Sequence, residues 1–280
     1  MPTIASLGSP LTLASVARTG LLDNFNQTAA PIAGVMPEVT TSIPVAWDVY
    51  SCEGGTDGSG HLTLGRMGTG ASGSSVYAIS LQPIYGKSAV WVPDFRYPSY
   101  ITDFRYDVGF TAPSSMNTDE GAYFQINAFV YDVTVELVRI VNSTGPNRVY
   151  IGNSNTSRAL NAVGTYLQVT CGNGTSDVVF LALSADLGLG FNYKLTVESN
   201  ASTVTVKIND VVYATVTRTV PIIWNADNTV QSVGVGLVQL STLTSTSQPS
   251  QPVCDVVRLS SLNPPFNTFY GPSKFITEKP

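Results

Sequence analysis

From Phe191 to Thr217 the chain reads FNYKLTVESNASTVTVKINDVVYATVT, and apolar and polar residues alternate through most of it. Leu195, Val197, Val204, Val206 and Ile208 interleave with Lys194, Thr196, Glu198, Thr205 and Lys207, the period of two that marks strands with one buried and one wet face. Turn-forming residues at Ser199-Asn200-Ala201-Ser202 and Asn209-Asp210 break the alternation, so the segment predicts a three-stranded β-meander.

Runs of the same kind recur from Val45 onward, over 45–51, 61–65, 75–81, 104–111, 123–129, 133–141, 148–151, 165–170 and 178–183. Two more, 232–240 and 253–259, follow the meander. No segment keeps a helical apolar period for three turns, so only short helices or turns are expected, for instance near 221–225. The expected class is all-β, with one sandwich over 45–262. Residues 1–44 hold a short alternating run and a link through Pro31, Gly34, Pro37 and Pro44, which predicts an extended N-terminal arm and leader strand. Residues 263–280 predict an extended C-terminal arm. From Leu262 to Pro280 there are four prolines and four aromatics, which excludes an interior strand and makes Phe266, Phe269, Tyr270 and Phe275 an assembly arm that docks on a neighbouring surface.

Composition narrows the partners. Charged residues are 12% of the chain, about half the usual share. Such a surface suits contact with other protein, and it equally suits an ordinary Ser-, Thr- and Asn-rich β-domain. The net charge is −5 and the 14 Lys and Arg are scattered singly, so nucleic acid is not an expected partner. Nor is a membrane, since no run of about 18 apolar residues occurs. The first twenty residues lack the basic region and continuous apolar stretch of a secretory signal. Cys52, Cys171 and Cys254 have no C-x-x-C spacing and read as buried thiols, with one disulfide left open.

The most aromatic window, WVPDFRYPSYITDFRYDVGF, runs from Trp91 to Phe110 and contains Asp-Phe-Arg-Tyr twice. Phe104, Tyr106 and Phe110 read as core positions of a strand. Trp91, Phe95, Arg96, Tyr97 and Tyr100, broken up by Pro93 and Pro98, are the candidates for contacting a glycan or a partner. Catalytic constellations are hard to assemble. His61 is the only histidine, which excludes a His-based zinc site and leaves one residue for any Ser-His-Asp arrangement. Asp119 and Glu120 are adjacent and point to opposite sides of a strand. Asp132 and Glu136 share a face but stand about 13 Å apart along it, too far for a glycosidase pair, and read as solvated surface. No cofactor is expected beyond a structural calcium ion, for which Asp57 and Asp255 are the candidates.

The order of signals in the second half resembles the concanavalin A-like (laminin G-like) jelly-roll domains. YKLTVESNASTVTVKINDVVYATV at Tyr193–Val216, SVGVGLVQL at Ser232–Leu240 and CDVVRLSSL at Cys254–Leu262 carry the resemblance. LLDNFNQT at Leu21–Thr28, followed by Trp47, resembles the opening of such domains in tailed-bacteriophage virion proteins. The resemblance implies an antiparallel jelly-roll β-sandwich. Family members that hydrolyse β-glucans carry an E-x-D-x-E triplet on one strand, and this chain has none. The combined expectation is a non-enzymatic virion structural protein, capsid-decorating or tail-associated, assembled in the host cytoplasm. Its partners would be copies of itself, other virion proteins and a host-surface glycan. The alternative is a carbohydrate-binding module or adhesin on the same fold.

Overall fold

A computed structural model of the chain describes residues 19–40, 46–49, 54–64, 83–92, 103–116, 122–143, 149–152, 156–172, 177–219, 233–242 and 250–262. The strands of the first half are β1 (Thr19–Asp23), β2 (Ala30–Pro31), β3 (Val39–Thr40), β4 (Asp48–Val49), β5 (Gly54–Thr56), β6 (Leu62–Leu64), β7 (Pro83–Val92), β8 (Phe104–Thr111), β9 (Tyr123–Val130) and β10 (Val133–Ile140). Those of the second half are β11 (Val149–Ile151), β12 (Arg158–Leu160), β13 (Gly164–Cys171), β14 (Asp177–Ala182), β15 (Asn192–Ser199), β16 (Thr203–Ile208), β17 (Val211–Thr217), β18 (Val233–Thr242) and β19 (Val253–Ser261). No helix occurs among the described residues.

Two antiparallel sheets pack face to face as a jelly-roll β-sandwich. The first runs β17-β16-β15-β8-β19-β6-β5-β2, with β1 and β3 joined beside β19. The second runs β14-β13-β10-β9-β18-β7-β4, and β11 and β12 form a small separate hairpin. Non-consecutive neighbours such as β8 with β15 and β9 with β18 are the long-range pairings that wind a jelly roll. Alternation decides what fills the core. On β8 the side chains of Phe104, Tyr106, Val108 and Phe110 are fully buried, while Arg105 and Asp107 between them face outward. The meander behaves the same way, with Leu195, Val197, Val204, Val206 and Ile208 turned inward. Its second turn has Asn209 and Asp210 at φ of 49° and 65°, the two positive values that a type I′ hairpin demands.

Residues 19–40, part of the stretch expected to be an extended arm and leader strand ahead of the sandwich, pack into it. β1 pairs with β19, and Leu21, Asp23, Phe25 and Ile32 are fully buried. The cause is local. One Asp23 oxygen accepts from Phe25 N–H at 2.8 Å and from Gln27 Nε2 at 3.2 Å, while the other accepts the Trp47 indole N–H. Phe25 takes a φ of 53° within that turn and its ring lies 5.9 Å from that of Trp47. The Asp-Asn-Phe and Trp47 signals of the sequence are therefore one buried knot. β7 is a second departure, since Pro83–Val92 showed no clean alternation. The expected run at 75–81 and the expected turn at 221–225 lie outside the described residues. Cys171 and Cys254 are buried free thiols, in line with the reading of the cysteines as buried thiols, and Cys52 lies outside the described residues.

Polar contacts also fasten the sheets to one another among the described residues. Thr219 donates to the Asp177 carboxylate from its backbone N–H and from its hydroxyl. Tyr106 donates its hydroxyl to the Gly234 carbonyl at 2.8 Å. Arg218, just past β17, forms a buried bidentate pair with Asp132 in the β9–β10 turn.

Candidate functional site

Of the residues singled out by sequence, Trp91 falls on β7, where its backbone lies between Gly234 of β18 and Asp48 of β4. Phe95, Arg96, Tyr97 and Tyr100 lie outside the described residues, as do Phe266, Phe269, Tyr270, Phe275, Asp119 and Glu120. Asp57 and Asp255 do come together, but around His61. The imidazole Nδ1 is 2.7 Å from Asp57 and Nε2 is 3.7 Å from Asp255, whose other oxygen accepts from Thr111 at 3.0 Å. Desolvation opposes ionisation of Asp57, and the hydrogen bonds from His61 and Ser59 outweigh it and lower the carboxyl's pKa; burial raises that of Asp255. Among the described residues no group of three His, Cys, Asp or Glu is placed to hold a metal ion.

A different surface gathers the polar chemistry, the outer face of the second sheet. Cross-strand register carries residues straight across it. Phe180, Gln168, Glu136, Asn127 and Gly236 make one row from β14 to β18. Val178, Thr170, Thr134, Phe129 and Gly234 make the next, and the backbone of Trp91 continues it. Neighbours across strands share a face, so each row is a line of adjacent positions.

Part of this face is roofed. The β11–β12 hairpin buries Val149, Ile151 and Leu160 against Tyr123, Val138 and Ile140. Gly152 seats the roof on the polar row: it has a φ of +99°, and a Cβ there would fall 2.5 Å from Gln168 Nε2 and 2.6 Å from the Thr156 carbonyl oxygen. Beneath it Gln168 is fully buried, donating from Nε2 to Thr156 Oγ1 at 3.0 Å, while its Oε1 has no partner. Gln125 Nε2 donates to Asn127 Oδ1 at 2.7 Å and to Glu136 Oε1 at 3.3 Å. Burial raises the pKa of the Glu136 carboxyl, against the smaller opposing effect of hydrogen bonds from Gly152 N–H and Gln125.

These contacts correct the expectation that Asp132 and Glu136 are solvated. Asp132 is 8% exposed and locked to Arg218, and Glu136 sits under the roof edge. Beyond the roof the floor changes character. A Cβ at Gly236 would meet Asn127 Cβ and Phe129 Cε2, each at 3.2 Å, so the glycine gives those two side chains room across β18. On the other flank Tyr166 and Phe180 stack at 6.1 Å, with the Arg158 guanidinium 4.9 Å from the Phe180 ring centroid. The face thus offers planar hydrogen-bonding groups in a line between aromatic surfaces.

No family model matches the chain, and no curated protein does. Among solved structures it is similar to an endo-1,3-β-glucanase from Streptomyces sioyaensis, with a TM-score of 0.48 and 15% identity over 94% of this chain and 100% of that one. It is similar to a β-1,3-glucanase from Mycobacterium marinum, with a TM-score of 0.46 and 10% identity over 85% and 97% of the two chains. A glycosyl hydrolase family 16 protein from Mycobacterium smegmatis gives a TM-score of 0.45 and 10% identity over 85% and 98%. These matches correct the expectation that the chain is not an enzyme: the structures matched are named as glucanases and a glycosyl hydrolase, so that exclusion does not stand. They are bacterial, and none gives the virion setting a counterpart. Likeness of this degree transfers no residue role, and the jelly-roll assignment rests on the sheet order and pairings themselves.

Proposed function

We propose that the protein binds carbohydrate on the outer face of its second sheet. The observation that carries this is the line Gln168–Glu136–Asn127 with Gln125 beside it, polar side chains that converge at the edge of the roof next to Phe129 and the glycines of β18. Sugars present hydroxyls in a plane and an apolar ring face, and they are held by a few fixed amide and carboxyl groups beside an aromatic surface. Gln125 fixes both Asn127 and Glu136, so these groups are ordered before a ligand arrives.

Isothermal titration with β-1,3-gluco-oligosaccharides, the class in the names of the matched glucanases, followed by a broader panel of neutral glycans, tests the reading. Saturable binding that falls at least tenfold in Asn127→Ala is expected. No binding across the panel by a folded protein would sink it.

Glycoside hydrolysis is the second reading, and Glu136 favours it. A carboxyl whose pKa burial raises is what a general acid requires. A partner carboxylate would need to lie roughly 5–9.5 Å away. On the described strands the other acid on these rows is Asp48, four strand spacings or about 19 Å off, so a partner would have to come from elsewhere in the chain. Release of reducing ends from β-1,3-glucan, abolished in Glu136→Gln, would support this reading. Assembly into a virion, with copies of itself and other virion proteins, draws on the terminal arms, and the described residues do not bear on it.

A further inference from the structure

Gln168 poses a problem of hydrogen-bond accounting. Its side chain is fully buried, its Nε2 is used by Thr156, and its Oε1 has no partner. An acceptor stranded in this way is rare, because burying it without a donor forfeits its hydration. Directly across the strand pair stands Glu136, the register partner of Gln168. One Glu136 oxygen accepts from Gln125, and the carboxyl also accepts from the Gly152 backbone N–H of the roof. Gly152 itself abuts the Gln168 amide, so the carboxyl, the amide and the roof backbone are packed together.

We propose that Glu136 stands in the folded protein as a carboxylic acid that donates its proton to Gln168 Oε1, which leaves the row Gln168–Glu136–Asn127 neutral and its ligand a neutral glycan. The acid form supplies the one donor the cluster lacks. The surroundings offer the carboxylate no compensating charge among the described residues. On β9 the neighbours are Gln125 and Asn127, which do not titrate, and Tyr123, whose pKa burial raises to about 12. On β10, Arg139 is paired with Asp186, and Asp132 is paired with Arg218. β13 presents Tyr166 and Thr170, β18 presents Gly236 and Val238, and β12 presents Arg158, which lies over Phe180 one strand beyond Gln168. The raised carboxyl pKa agrees with this arrangement. The neutral-ligand part rests on the carbohydrate reading above, whereas the proton assignment does not.

Carbon-detected NMR titration of the glutamate carboxyls in the full chain, assigned with Glu136→Gln, reads the proton directly. A Glu136 carboxyl that still reports the acid form at pH 7, with its midpoint raised above the ordinary 4.5, is expected. The folded value then exceeds the unfolded one, so Glu136 contributes stability that is present in acid and lost as pH rises through the folded midpoint. Glu136→Gln, which keeps an N–H donor toward Gln168, should lack that dependence. A Glu136 ionised at pH 7 would overturn the proposal, showing instead a carboxylate that accepts from a reversed Gln168 amide. In a parallel glycan panel, tighter binding of a cationic amino-sugar oligomer than of its neutral counterpart would overturn the ligand class. The acid form at pH 7 with no glycan bound would uphold the proton and refute the carbohydrate reading.

Discussion

Removing the Asp132 carboxylate should cost far more stability than breaking an ion pair on the outer face of the first sheet. The Arg218 side chain is 1% exposed and that of Asp132 is 8% exposed. Nη1 donates to Asp132 Oδ2 at 2.7 Å, and Nη2 donates to Oδ1 at 3.1 Å and to Ser199 Oγ at 3.0 Å. The pair joins the tight β9–β10 turn, where Tyr131 holds a φ of 55° against the edge of Phe104, to the end of β17 in the opposite sheet. Asp132→Ala strands a buried guanidinium, which costs about 3–5 kcal/mol. Lys207→Ala breaks a 2.6 Å pair with Glu198 between side chains each 22% exposed, and should cost about 1 kcal/mol or less. Urea unfolding at pH 7, followed by tryptophan fluorescence, measures both. The double variant Asp132→Ala/Arg218→Met should recover part of the loss, because no charge is then stranded. If Asp132→Ala lost no more than Lys207→Ala, the pair would not fasten the sheets and the reasoning would fail.

Three further outcomes follow from the same geometry. Asp23→Ala leaves the Trp47 indole and the Phe25 amide without their acceptor, and should lower stability by about 2–4 kcal/mol in the same unfolding assay. Burial raises the Asp23 pKa despite hydrogen bonds from Trp47, Phe25 and Gln27, so its folded value lies above the unfolded one. Stability contributed by its acid form is therefore lost as pH rises through the folded value, and Asp23→Asn should gain on the natural protein over that interval. Gly152→Ala forces a Cβ into Gln168 and Thr156 at a positive φ; a loss of about 1–3 kcal/mol, with weakened glycan binding in calorimetry, is expected.

The sheets were legible wherever one face was wet. The meander and β8, β10, β13 and β19 read directly from alternation, because a period of two needs no knowledge of what lies opposite. β1 was not legible as part of the sandwich. Its burial depends on Asp23 reaching Trp47, a contact between residues 24 apart in the chain. The polar row was missed for a related reason. Glu136 occupies an outward position on β10, which in a simple sandwich faces water, and the pattern of β10 cannot report that the β11–β12 hairpin folds back over it. Gln125 and Gln168 likewise sit at outward positions of strongly apolar strands, yet are only 7% and 0% exposed. The Asp57, His61 and Asp255 grouping was half visible: the acids were picked out, but not the imidazole that joins them.

The central claim is that carbohydrate binds the outer face of the second sheet, and an amide NMR titration of the intact chain with a β-1,3-gluco-oligosaccharide tests it most directly. The account predicts saturable shifts clustered at Asn127, Phe129, Thr134, Glu136, Gly234 and Gly236. Shifts confined to the first sheet or to the His61 grouping, or none at all across the neutral glycans, would contradict it.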